Sequence, residues 1–273
     1  MKKASPFFLI SIIAICSCAP NPYKGSNKIY KKKAAAFSKV LKEKPVDKVV
    51  ADSLKIPNGW VGTTNFGMRK PNMVIIHHTA QNSCEQTLKT FTTDVSQVSA
   101  HYVICKDGTL HHMLNDYLRA WHAGASLWGN NTDINSSSIG IEIDNNGKED
   151  FTEGQLNTLL GLLDTLKRSY NIPTQNFIGH SDIAPGRKVD PNVTFPWKRL
   201  ADKGFGLWYA DTTGIILPND FNVLYGLKII GYDIRKPEAA TEAFRRHFLA
   251  IEKTGEMDDE EKKVLYMVME KFL

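Results

Sequence analysis

Hydrophobic and polar positions follow several rhythms along this 273-residue chain. Met73-Val74-Ile75-Ile76-His77-His78 is a continuous apolar, β-branched run that closes on two histidines, the pattern of a strand buried on both faces. Leu88, Phe91 and Val95 then recur at helical spacing, which predicts a helix with these three on its inner face. Residues 100–105 read as a strand that ends at the Asp107-Gly108 turn and pairs back with residues 110–113. Ser138-Ile139-Gly140-Ile141-Glu142-Ile143 reads as a further strand. Thr152-Glu153-Gly154-Gln155 has the form of a capping box, in which each polar side chain satisfies a free backbone N–H of the other residue. It opens a helix striped by Leu156, Leu159, Leu160, Leu163 and Leu166 and stopped by Asn171-Ile172-Pro173.

Strands come early and mixed with helices, without regular βαβ alternation. That predicts an α+β fold with a mixed central β-sheet flanked by helices. Beyond about residue 208 three helical stripes follow. They are Val223, Leu224, Leu227 and Ile230; then Phe244, Phe248 and Ile251; then Val264, Leu265, Val268 and Phe272. They predict a small C-terminal three-helix unit over 208–273, separate from a catalytic domain over 58–207. A separate unit should be dispensable for hydrolysis of a small soluble substrate.

The start of the chain has another texture. Lys2 and Lys3 precede an apolar run over residues 6–15, too short to span a bilayer, which is the pattern of a secretory signal. The run ends in Ile15-Cys16-Ser17-Cys18 and resembles a bacterial lipoprotein signal, with small Ser17 just before the modified cysteine. Cys16 fits less well, because bulky Ile15 would stand where a small residue is wanted. Residues 1–17 are therefore expected to be removed and Cys18 to be lipidated, several acyl chains giving the stable anchoring that one chain does not. A plain secretory signal with incidental cysteines is the alternative. Residues 18–57 read as a proline- and lysine-rich tether with a helix across 34–41, its charge keeping it solvated.

Composition narrows the classes. Hydrophobic residues make up 42% and charged residues 23%, which excludes wholesale disorder and a multi-pass membrane architecture. The net charge of +5 loses two lysines with the signal, too weak a bias for a nucleic-acid partner. Four cysteines do not make a disulfide scaffold.

Five polar residues stand out against apolar or turn-forming surroundings. His77 closes a buried strand, and Glu142 lies between isoleucines, where a lone carboxylate needs a partner or a task. His180, Lys188 and Asp190 fall in a Gly- and Pro-rich loop over 178–191, a setting that presents side chains. Two imidazoles and a carboxylate are a known ligand set for catalytic zinc, the fourth position left to water. Zinc lowers the pKa of that water to about 7. A glutamate nearby can take its proton and a lysine can neutralise a developing oxyanion. Singly, each residue has a plainer reading: His77 as a hydrogen-bonded core histidine, His180 with Asp182 as a turn-stabilising pair.

The segments Val74-Ile75-Ile76-His77-His78-Thr79-Ala80, Ser99-Ala100-His101-Tyr102, Arg119-Ala120-Trp121-His122-Ala123-Gly124, Ser138-Ile139-Gly140-Ile141-Glu142 and the 180–190 loop occur in order. Over about 73–197 the chain thereby resembles the zinc-dependent N-acetylmuramoyl-L-alanine amidases related to AmpD and to the peptidoglycan recognition proteins. The resemblance implies zinc (Zn2+) held by His77, His180 and Asp190. It implies Glu142 as general base and proton shuttle, and Lys188 as the group that stabilises the oxyanion. The bond cut would join the lactyl group of N-acetylmuramic acid to L-alanine. The resemblance also places Trp121, His122 and Ala123 beside the substrate, with the Ala123 backbone touching the peptide.

Gly231-Tyr232-Asp233 and the pattern ending in His247-Phe248 resemble the C-terminal unit of AmiD-type lipoprotein amidases, which implies either peptidoglycan binding or a structural cap. Alternation points His78 away from His77. His101 is placed near the pocket without a settled role, His111 and His112 carry none, and His247 faces solvent or the domain interface. Cys84 and Cys105 could pair in an oxidising compartment. Cys105 with His101 as a nucleophilic pair is a rival chemistry that leaves Glu142 and the 180–190 loop unused. The expectation is a monomeric amidase acting on peptidoglycan or muropeptides, tied by lipid to the periplasmic face of an outer membrane. Its rivals are a peptidoglycan-binding lipoprotein that does not cut, and a structural lipoprotein linking membrane to wall.

Overall fold

A computed structural model describes residues 21–42 and 62–273. The expected signal, Cys18 and residues 43–61 of the tether lie outside the described residues. The chain divides into two compact units, residues 1–62 and 63–273.

The strands of the larger unit are β1 (Met73–His78), β2 (Tyr102–Ile104), β3 (Leu110–His112), β4 (Ser138–Ile143) and β5 (Phe177–Gly179). They form one mixed sheet in the order β3-β2-β4-β1-β5. β1 runs parallel to β4 and β5, β2 parallel to β4, and β3 antiparallel to β2. The helices are α1 (Lys24–Lys42), α2 (Cys84–Thr92), α3 (Ile134–Ser137), α4 (Glu153–Tyr170), α5 (His180–Ile183), α6 (Trp197–Ala201), α7 (Val223–Ile230), α8 (Pro237–Phe244) and α9 (Asp259–Met269).

Strand alternation sorts the core into two layers. Val74, Ile76, Ile139, Ile141 and Ile143 share a cluster with Leu156, Leu159, Leu163 and Leu166 of α4. That helix begins in the expected capping box: Thr152 Oγ1 accepts from the Gln155 N–H (3.2 Å), and Gln155 Oε1 accepts from the Thr152 N–H (3.0 Å). It ends at Asn171 in the left-handed region (φ 52°). Met73, Ile75 and Ile178 share the other cluster, completed by Leu227, Ile230, Phe244, Phe248, Leu265 and Val268 of the C-terminal helices.

The expected boundary at 207/208 is therefore not a boundary between compact units. α7, α8 and α9 share one apolar cluster with the second face of the sheet. Three smaller expectations also change. α2 stops at Thr92 and Val95 stands in the short turn Asp94–Ser96, 85% exposed, because Thr93 already turns to extended backbone. Ile251 lies past the second stripe: α8 runs into a π-helical turn, Arg245–Leu249, which Ala250 ends in the left-handed region (φ 54°). The helix expected over 34–41 covers all of Lys24–Lys42. Cys84 and Cys105 are joined in a disulfide (Cα–Cα 5.3 Å) that ties α2 to the end of β2, so Cys105 is not a free nucleophile.

Candidate functional site

The parallel register of β1 and β4 sets His77 directly beside Glu142. β5 passes at Gly179 straight into α5, so His180 emerges at the neighbouring strand's end. The Ser181 N–H donates to the Asp190 carbonyl (2.8 Å), and the Arg187 and Lys188 N–H groups donate to the Ala184 carbonyl (both 3.1 Å). These bonds fold the 180–190 loop back on itself and return Asp190 to His180. His77 Nδ1 and His180 Nδ1 stand 2.9 Å apart, and Asp190 Oδ2 lies 3.0 and 2.9 Å from them. All three side chains are buried.

The surrounding hydrogen bonds fix where the protons sit. Ser138 Oγ donates its one proton to the Ile134 carbonyl (2.7 Å), so it accepts from His122 Nε2 (3.1 Å). His122 Nδ1 is then bare and accepts from His77 Nε2 (3.0 Å). His180 Nε2 lies 3.1 Å from the Ala123 carbonyl, which can only accept. Both ligand histidines thus carry their proton on the outer nitrogen, an assignment made from the network. Two imidazole lone pairs and a carboxylate converge on one small volume. Burial, reinforced by His180, pushes the His77 pKa down to about 4, so its ring is neutral near pH 7. Three lone pairs facing each other repel unless a cation lies between them. Outer nitrogens held by an acceptor are the usual setting of a metal-bound histidine. The donor set and its setting fit zinc.

Glu142 is half-buried, and its Oε2 has no hydrogen-bond partner among the described residues. Burial pushes its pKa up to about 8; the Asp190 charge adds to that and Lys188 opposes it. Lys188 is half-buried, and its ammonium has no hydrogen bond or ion pair among the described residues. One carboxylate oxygen and one ammonium thus remain uncommitted beside the three converging ligands.

The 121–123 segment lies mostly inside the protein. Only Trp121 is open, at 45% exposure. The His122 ring is buried and spans His77 and Ser138, which places it behind His77. Asn135 Oδ1 accepts from the His122 and Ala123 N–H groups (3.1 and 2.9 Å), while the Ala123 carbonyl takes His180 Nε2 and Arg187 Nη2 (2.6 Å). Both polar backbone groups of Ala123 are therefore engaged inside the protein. A Cβ at Gly140 would lie 2.5 Å from the His122 ring, so the strand needs glycine there for His122 to reach His77.

The C-terminal helices reach the same loop. Asp182, fully buried two residues after His180, accepts from the Gly179 N–H, from Tyr232 Oη and from His247 Nδ1, each at 2.7 Å. His247 also stacks on Trp197, with centroids 3.9 Å apart. It lies in the interface, the second of its two expected places. Sequence reasoning noted Asp182 only as a turn partner of His180, and nothing local marks its true partners. Three other histidines have partners within the protein. His101 Nδ1 accepts from the Gly140 N–H (3.0 Å), His78 Nδ1 accepts from the Asn192 N–H (3.1 Å), and His112 stacks on Tyr102.

Residues 67–193 match the family described as N-acetylmuramoyl-L-alanine amidase (Amidase_2). N-acetylmuramoyl-L-alanine amidase AmiD of Escherichia coli K12 is 31% identical over 231 residues, which cover 73% of this chain and 83% of AmiD. The crystal structure of AmpDh3 from Pseudomonas aeruginosa aligns with a TM-score of 0.68 at 31% identity, covering 80% of this chain and 98% of that one. E. coli AmiD in complex with the substrate anhydro-N-acetylmuramic acid-L-Ala-D-γ-Glu-L-Lys aligns with a TM-score of 0.67 at 27% identity, covering 82% and 97%. The chain belongs to the N-acetylmuramoyl-L-alanine amidase family. Its reaction is hydrolysis of the muramoyl–L-alanine amide of peptidoglycan or muropeptides.

Proposed function

We propose that this amidase depends on zinc held by His77, His180 and Asp190, and that it works at a membrane to which Cys18 anchors it by lipid. The observation that carries the metal is the convergence of three lone pairs whose protons the outer hydrogen bonds hold elsewhere. Zinc supplies Lewis acidity, which polarises the scissile carbonyl and makes water more acidic. Glu142, with one oxygen free, takes the proton of the attacking water and passes it to the nitrogen of L-alanine as the C–N bond breaks. Lys188 balances the negative charge that gathers on the carbonyl oxygen during attack. His122 holds His77 in its tautomer, and the Ala123 carbonyl does the same for His180.

Trp121 offers an exposed apolar contact on the rim for the sugar or peptide. The AmiD and AmpDh3 complexes hold anhydromuramyl peptides, which supports a soluble muropeptide among the substrates of this chain. A lysine-rich segment after Cys18, with no acidic residue before Glu43, supports residence on the periplasmic face of an outer membrane.

The decisive test uses the Cys18→Ala chain and a soluble N-acetylmuramoyl-tripeptide, read by mass spectrometry with zinc content measured alongside. Peptide release that stops with a chelator and returns with zinc is the expected result. Binding without release by a zinc-loaded protein would reject the catalytic assignment and leave a recognition module. Membrane fractionation of the natural chain against Cys18→Ala tests the anchor; an unchanged distribution rejects it.

A further inference from the structure

α1 is a 19-residue helix in which no residue is buried. At 3.6 residues per turn its side chains separate into two faces. Ile29, Tyr30, Phe37, Val40 and Leu41 fall on one side, each between 39% and 71% exposed. Lys24, Lys28, Lys31, Lys32, Lys39 and Lys42 fall on the opposite side, and Lys33 alone of the lysines falls within the apolar side. The helix holds seven lysines and no acidic residue. Among the described residues no helix is long and apolar enough to cross a membrane. Most helical stability in proteins comes from packing of an amphipathic face, and an open apolar face marks a place where something binds.

We propose that α1 is a membrane-surface helix that lies on a bilayer rich in anionic phospholipid. Its aromatic and aliphatic face enters the headgroup boundary while the lysines meet the lipid phosphates. Charge decides between occupants: a second copy of α1 on the apolar face would leave the lysine face without counter-charge, whereas an anionic bilayer meets both faces. The apolar face selects a bilayer over an acidic wall polymer, which offers the lysines partners but gives the tyrosine, phenylalanine and leucine nothing to enter. The helix begins six residues after Cys18 and would add a second, independent hold beside an acyl anchor; the proposal does not need that anchor.

The test uses the mature chain with Cys18→Ser, which bears no acyl group, and its co-sedimentation with vesicles of phosphatidylcholine alone or mixed with phosphatidylglycerol. Binding to the mixed vesicles should exceed binding to the neutral ones at least ~10-fold. It should fall by about the same factor in Lys28→Glu/Lys32→Glu/Lys39→Glu and in Tyr30→Ser/Phe37→Ser, one variant for each face. Both variants should cleave a soluble muropeptide at the parent rate, showing that the catalytic unit is intact. Equal binding to both vesicle types, or undiminished binding by either variant, overturns the proposal. So does retention on isolated murein sacculi with none on vesicles, which would assign the basic face to the wall.

Discussion

Both ends of the chain carry apolar stripes at helical spacing, and they meet opposite fates. At the C-terminal end Leu227, Phe244 and Leu265 are completely buried against the sheet, whereas α1 buries nothing. Periodicity shows that a face exists for covering; it does not say by what. The difference lies in polar groups. The C-terminal helices bring Tyr232 and His247 to a buried carboxylate, and Arg245 pairs with Glu261 in the core through two bonds of 3.0 and 2.9 Å. Such groups are costly to leave unmatched, so they fix one docking geometry. α1 offers a single sign of charge. A stripe with internal polar partners belongs to the body; a stripe backed by like charge is suited to an outside surface.

The largest expected effect comes from removing residues 208–273. Six large apolar side chains would leave the sheet face that holds Met73 and Ile75. At about 1.5–3 kcal/mol each their loss is on the order of 10 kcal/mol, comparable with the whole stability of a domain. The truncated chain should lose cooperative thermal unfolding and all hydrolysis; an active, cooperatively folded truncation would restore the separate C-terminal domain. Next, Glu142→Gln should retain zinc but lose ~10²–10⁴-fold in turnover, and activity within a factor of about two would remove Glu142 from the base role.

His247→Ala strips one bond from Asp182 and the ring stacked on Trp197, and should cost about 2–3 kcal/mol in urea unfolding. Because Asp182 orients the turn bearing His180, zinc affinity should weaken as well. Unchanged zinc affinity in the destabilised variant would reduce His247 to packing alone.

pH supplies a smaller effect. In the folded, metal-free protein Glu142 releases its proton near 8, against an ordinary value of 4.5. Folding therefore favours the protonated form, and the stability this gives is lost as pH rises from about 4.5 to about 8. Glu142→Gln cannot lose a proton, so its stability advantage over the parent should grow across that window. Discounted for partial solvent access it should reach about 1–2 kcal/mol, and a difference flat from pH 5 to 8 would contradict the raised pKa. The smallest effect belongs to α1, where Tyr30→Ser/Phe37→Ser should change the melting free energy by less than about 0.5 kcal/mol. A larger loss would mean that α1 packs like the C-terminal helices.

What the sequence disclosed follows the range of the forces involved. The strands over 73–78 and 138–143 and the capping box at Thr152 are legible because alternation and helix initiation are decided within a few residues. The convergence of His77, His180 and Asp190 and the singular place of Glu142 were legible because buried polar residues between apolar neighbours demand an explanation. Helix ends were less so: Val95 and Ile251 continue a period after the backbone has already turned. The role of His122 depends on a serine 16 residues later, and the Asp182–His247 bond spans 65 residues. No local pattern encodes either.

Gly140 has a consequence for how this enzyme can change. Its backbone is ordinary strand, so propensity alone would reward a valine there. A valine would press on the imidazole that keeps a proton off the inner nitrogen of His77. Strand propensity and packing therefore pull in opposite directions at this one position, and the clash with a buried ring decides it. Libraries screened for thermal tolerance and for turnover should both keep glycine at residue 140.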